Sequence, residues 1–109
     1  MTVNEYQKQA MVTLNPALSP EDVLMDSALG LCGESGEVAD LLKKHLMQGH
    51  PLDREKVAKE LGDVAWYLAE AAAALDMDLE TILQGNLDKL KKRYPDGFDV
   101  EKSIHREAE

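Results

Sequence analysis

Apolar residues recur along this chain at helical spacing. Leu24, Leu31, Val38 and Leu42 form one stripe, and Val57, Leu61, Val64, Leu68 and Leu75 form a second, in steps of three, four or seven. Boundary signals frame each stripe. Ser19-Pro20-Glu21-Asp22 opens a helix with a capping serine, a proline at the first helical position and acids in the first turn. That helix is predicted to run to about Gln48, a length of about 40 Å at ~1.5 Å per residue. Gly49 suits the position just past its end, and Lys43, Lys44 and His45 suit its negative pole. Pro51 interrupts, Asp53 caps a third helix running to about Leu75, and a fourth starts at Asp78, a cap candidate, and ends near Arg93. A short first helix over residues 4–13, with Asn4 as its cap, precedes them and stops at Asn15-Pro16. Tyr94-Pro95-Asp96-Gly97 is a turn, and residues 98–109 form a polar tail that holds a short helix or drapes over a neighbour. The short connection after Gln48 predicts antiparallel neighbours. The expected fold is all-α: an antiparallel bundle of four to five helices in a single domain, residues 1–109, completed by oligomerisation.

Composition narrows this picture. A chain of 109 residues supports one small core, and with aromatics at 5% that core must be aliphatic. The formal net charge of −9 argues against a nucleic acid polymer or an anionic membrane surface as partner. An anionic small molecule would be repelled too, unless a cation mediates. The single cysteine, Cys32, excludes an internal disulfide and suits a reducing cytoplasm, with the thiol expected to be a small buried residue. No apolar run approaches the ~20 residues that span a bilayer, and no signal-peptide pattern opens the chain, so a cytoplasmic protein is expected.

The chemistry is concentrated in a motif written twice. Residues 34–39 read Glu-Ser-Gly-Glu-Val-Ala and residues 60–65 read Glu-Leu-Gly-Asp-Val-Ala. Each copy sets two carboxylates at i and i+3, neighbours on one helix face. On a wheel of ~100° per residue, both copies place the first acid on the same shoulder of the apolar stripe. Packed face to face, the two helices would gather Glu34, Glu37, Glu60 and Asp63. Four carboxylates repel one another unless cations hold them, and oxygen-only ligands select hard ions such as Mg2+ or Mn2+. Di-iron bundles need Glu-x-x-His pairs, and His45, His50 and His105 do not supply them. Gly36 and Gly62 each cost a helix about 1 kcal/mol relative to alanine, which calls for close helix packing or for room beside a ligand. Gly30, Gly33 and Gly36 add a smooth stripe. Trp66 and Tyr67 follow the second motif; at helical spacing they read first as core or interface residues and second as a base-stacking pair, with Tyr67 near the Glu60 side of the helix and Trp66 pointing further away. The run Glu70-Ala-Ala-Ala-Ala74 offers a surface for close packing between subunits.

At these residues the chain resembles the MazG-like all-α nucleoside triphosphate pyrophosphohydrolases. The resemblance covers about Leu24 through Phe98. It rests on Glu34-Ser-Gly-Glu37, 22 intervening residues, Glu60-Leu-Gly-Asp63, and Asn86-x-x-Lys89-x-x-x-Arg93-Tyr94-Pro95. It implies hydrolysis of a (deoxy)nucleoside triphosphate to the monophosphate and pyrophosphate, in house-cleaning or nucleotide-pool control. It also implies Mg2+, with Mn2+ a possible substitute, on Glu34, Glu37, Glu60 and Asp63, one of which, Glu37 or Glu34, can act as general base. Asn86, Lys89 and Arg93 would bind phosphate or sugar. Beside what the resemblance implies, Lys44 with Lys43 and His45 are candidates to stabilise pyrophosphate, the alternative being a solvated last turn that complements the helix dipole. Family members are dimers, or tetramers built from dimers. Two alternatives stand beside this expectation: a non-catalytic nucleotide-sensing or helical oligomerisation module, and a phosphoribosyl-ATP pyrophosphohydrolase of the same superfamily. The preferred base and sugar are not legible from these motifs.

Overall fold

The computed structural model describes residues 1–106, so the last part of the expected tail, 107–109, lies outside the described residues. Five helices and no strand occur among the described residues: α1 Val3–Met11, α2 Pro20–Gln48, α3 Arg54–Ala74, α4 Leu79–Arg93 and α5 Val100–Ile104. The all-α expectation holds. The boundaries follow from local hydrogen bonding. Ser19 Oγ accepts from the Asp22 N–H at 3.1 Å, and Asp53 Oδ1 accepts from the Lys56 N–H at 3.0 Å. Gly49 ends α2 with φ at 71°, a left-handed conformation that costs glycine little.

Two predicted caps are replaced. Thr2, not Asn4, starts α1: its hydroxyl accepts from the Glu5 N–H while the Glu5 carboxylate accepts from the Thr2 N–H, a reciprocal box that outcompetes a later start. At α4, where Asp78 is the local candidate, the Leu79 N–H donates instead to Gln7 Oε1 at 2.8 Å. Gln7 is buried, and its Nε2 also donates to the carbonyls of Met77 and Ala69. One long-range amide therefore satisfies backbone groups at the α3–α4 junction that would otherwise lie buried unpaired.

The chain forms two compact units, Met1–Leu79 and a second from Glu80 onward. In the first, α2 and α3 pack as an antiparallel pair and α1 lies against α3. Its buried apolar residues are Ala69, Ala72 and Leu79, with Val3, Tyr6 and Met11 packed against them. The small side chains let the helices approach closely. Much of each predicted stripe stays open: Leu24, Leu42, Leu61, Leu68 and Leu75 are all exposed. Cys32, expected to be buried, is exposed as well. It lies next to Gly33 and Gly36, where an added Cβ would meet open space, so this face of α2 is turned away from α3. In the second unit, Gly97 takes φ 93° in the turn after α4, and Tyr94 packs on Phe98 at 5.7 Å between ring centroids. Ile82, Leu83, Leu87 and Leu90 line α4 and are exposed. No helix among the described residues is long and apolar enough to cross a membrane.

Gly30 is the glycine that packing demands. A Cβ there would collide with the ring of Tyr67. Gly30→Ala is expected to destabilise the chain by about 1–3 kcal/mol, the usual cost of overpacking, read as a lower urea midpoint at unchanged slope. Gly33→Ala meets open space and should not show that loss.

Candidate metal centre

The register of the α2–α3 pair builds the site. Gly30 faces Tyr67, so residues one helical turn along in each direction also meet: Glu34 with Asp63, and Asp26 with Glu70. Carboxylate oxygens of Glu34, Glu60 and Asp63 lie within 4.8 Å of one another. Glu34 and Glu60 are half-buried and Asp63 is exposed. Glu34 Oε2 is buried without a hydrogen-bond partner.

The electrostatics follow from crowding. The Glu34 carboxyl is pushed above its ordinary range, chiefly by a hydrogen bond with Glu60, then by desolvation, then by the charges of Asp63, Glu60 and Glu37. Two acids that share a proton in this way hold a place that a cation can take instead. An oxygen-only donor set with an unpartnered buried carboxylate oxygen fits a hard divalent ion and not a thiol- or imidazole-seeking one.

Glu37 stands outside the three-acid group. It is exposed on α2, and its charge helps to keep Lys44 protonated. The i+3 step turns it further round the helix, and an exposed carboxylate is not drawn toward three others. Lys44 Nζ bonds Asp40 at 2.8 Å, and Lys43 approaches the same carboxylate at 3.5 Å, so the Lys44 and Lys43 ammonium groups hold the Asp40 carboxyl below its ordinary range. Asn86, Lys89 and Arg93 lie on α4 in the second unit, spaced i, i+3 and i+7, with Arg93 6.0 Å from the Tyr94 ring centroid.

Trp66 and Tyr67 lie beside two of the acids. With Glu34 and Asp63 they line an open cavity of about 340 Å3. Trp66, which the helical wheel turns away from the acids, is half-buried: its indole N–H donates to Thr13 Oγ1 at 2.9 Å and to the Ala10 carbonyl at 3.2 Å. Its ring meets Tyr67 edge-on, 5.0 Å between centroids. The Tyr67 hydroxyl titrates above its ordinary range because it is desolvated and surrounded by Asp26, Glu34, Glu70 and Asp63. The spacing signals for this were present: Asp26, Gly30 and Glu34 step by four on α2, and Asp63, Tyr67 and Glu70 by four and three on α3.

Residues 25–98 match the MazG nucleotide pyrophosphohydrolase domain. The chain belongs to the MazG family. The matched segment carries every acid of the site and also reaches Asn86, Lys89 and Arg93. The chain is also similar to the Gene 37 protein of Mycobacterium phage L5, 42% identical over 73 residues, which cover 63% of this chain and 64% of the phage protein. No solved structure matches the chain.

Proposed function

We propose that this MazG-family chain hydrolyses a (deoxy)nucleoside triphosphate between the α and β phosphates, with Mg2+ as cofactor, in house-cleaning or control of the nucleotide pool. The observation that carries the proposal is the meeting of Glu34, Glu60 and Asp63 within the segment that matches the family. These three residues would hold the ion. When bound, it supplies positive charge against the triphosphate and acidifies water. Glu37, facing solvent one turn further along α2, is assigned the task of taking a proton from the attacking water. The cavity walled by Trp66 and Tyr67 is assigned to the nucleoside, whose base offers a flat face to aromatic side chains. Asn86, Lys89 and Arg93 are assigned to phosphate and sugar contacts.

The proposed active form is a homodimer or a homotetramer. Support comes from the imbalance of burial. Apart from Ala69, Ala72 and Leu79, large apolar residues such as Met25, Leu29, Leu46, Leu61, Leu87 and Phe98 stay exposed in the single chain, far more than a stable monomer usually shows. Sharing those faces between copies would bury them. A cytoplasmic location is part of the same proposal, because an exposed Cys32 suits a reducing compartment.

A panel of canonical, deoxy and modified triphosphates, with phosphoribosyl-ATP included, tests the assignment. Pyrophosphate and monophosphate are expected as products with Mg2+ and none in excess chelator. Folded, metal-loaded protein that binds nucleotide but releases no pyrophosphate from any of them would point to a sensing module instead.

A further inference from the structure

The α2–α3 hairpin carries opposite charge to the rest of the molecule. Between residues 43 and 59 stand Lys43, Lys44, Arg54, Lys56 and Lys59 against Asp53 and Glu55, on a chain of net charge −9. The turn encloses a cavity of about 310 Å3, into which Lys44, His50 and Lys56 bring basic side chains. Its other polar wall residue, Asp53, already accepts the Lys56 N–H, so its charge is partly spent on the helix start. The Asp40 carboxylate fixes the Lys44 ammonium at 2.8 Å. The turn itself is pinned by a 2.7 Å contact between His45 Nδ1 and the His50 carbonyl.

The position of this cavity matters as much as its charge. Lys56, Glu60 and Asp63 share one face of α3 at steps of four and three, and Leu41, also in the cavity wall, is two turns from Glu34 on α2. Glu34 and Asp63 thus wall the Trp66–Tyr67 cavity, and the basic cavity lies one to two helical turns further along the same helix pair, toward the hairpin. The separation along α3 from Lys56 to the acids is four to seven residues, about 6–10 Å at ~1.5 Å per residue. That is the reach of a diphosphate tail. We infer that the Lys44–His50–Lys56 cavity binds the β and γ phosphates of the substrate and retains them as pyrophosphate after cleavage, which orients the triphosphate with its base toward Trp66 and Tyr67. Hydrolysis moves no further group here: water supplies oxygen to the α phosphorus, the bond to the bridging oxygen breaks, and the pyrophosphate leaves as an anion into the basic end.

This inference rests on the proposed hydrolysis, and one set of full-length proteins separates the two. Inorganic pyrophosphate and a nucleoside monophosphate are titrated separately by calorimetry, with Mg2+ present, into wild type, Lys56→Gln, His50→Gln, Lys56→Arg and, as a control for bulk charge, Lys8→Gln. Helicity is checked for each. Lys56→Gln and His50→Gln are expected to weaken pyrophosphate binding about tenfold each, the value of one charge-assisted hydrogen bond. Lys56→Arg should recover most of that loss, and monophosphate affinity should stay within twofold throughout. Unchanged pyrophosphate affinity in Lys56→Gln, or an equal loss in Lys8→Gln, overturns the inference while wild-type turnover leaves the proposed hydrolysis standing. Absence of turnover in the wild type overturns the hydrolysis itself.

Discussion

Replacing Glu60 with glutamine is expected to cut pyrophosphate release at least ~1000-fold while raising, not lowering, the melting temperature of the metal-free protein. Both halves follow from one geometry. With the carboxylate oxygens of Glu34, Glu60 and Asp63 within 4.8 Å, these three residues would hold a cation, and neutralising one of them would weaken both its hold and the charge it would offer the phosphates. Losing one such electrostatic contact in other enzymes costs 10²–10³-fold in turnover, and a ligand lost from a three-acid set should lie at or above that range. Without the cation the same three acids oppose folding. The Glu34 carboxyl titrates above its ordinary range, first through its hydrogen bond with Glu60, then through desolvation and the charge of Asp63, so ionising the whole group costs the metal-free fold. Asp63→Asn should behave like Glu60→Gln. Glu37→Gln should differ: turnover falls, but Mg2+ binding by calorimetry persists, because Glu37 lies outside the group. A Glu60→Gln protein that turns over at the wild-type rate, or that melts earlier in chelator, would contradict the assignment.

How much of this could be read before the fold was known depends on the range of the interactions. The ends of α2 and α3 were legible almost to the residue because Ser19, Pro20, Gly49 and Asp53 act on backbone groups three or four positions away. The start of α4 was not legible in this way. Its first N–H is satisfied by Gln7, 72 residues distant, and no local pattern announces such a partner. The apolar stripes were placed correctly on their helices, yet Leu61, Leu68 and Leu75 remain exposed. Helical periodicity reports which face wants to be buried, and says nothing about whether the same chain buries it.

The site divides along the same line. The doubled acidic motif located Glu34, Glu60 and Asp63 because i,i+3 spacing and a shared wheel position fix their faces. Glu37 was grouped with them by symmetry between the copies; the structure gathers the other three and leaves Glu37 exposed on α2, near enough for its charge to act on Glu34. Trp66 was misjudged for a tertiary reason. Its indole N–H is claimed by Ala10 and Thr13, and this holds the ring beside the acids, although the helical wheel points it elsewhere. Asp26 and Glu70 were passed over altogether, since neither forms part of the repeated motif. They meet because the register that pairs Gly30 with Tyr67 carries on for one more turn.

That overlooked pair yields the second large effect. Glu70→Gln is expected to stabilise the folded chain by on the order of 3 kcal/mol above neutral pH and to change it little below pH 4.5. Glu70 is wholly buried beside Asp26, to which its protonated form can donate a hydrogen bond and against which its ionised form has no donor to satisfy it. Burial, with Asp26 close by, pushes its titration from 4.5 up to about 7. Between those two values the folded chain keeps a proton that the unfolded chain has released, so stability falls as pH rises through that window. Below it both states are protonated and nothing is lost. Above it the folded state carries a buried carboxylate at full cost. Glutamine is neutral throughout and its amide can donate to Asp26, so the variant should lack this slope. Urea midpoints from pH 4 to 9 in chelator, with wild type and variant side by side, read the difference directly, since Glu34 and every other shared group cancels. Parallel curves would mean that Glu70 is solvated in solution and that the α2–α3 interface opens there. Diverging curves would show a helix pair that gives up stability at the rung next to Tyr67, a cost no packing requirement explains and one that buried acids beside a functional site commonly carry.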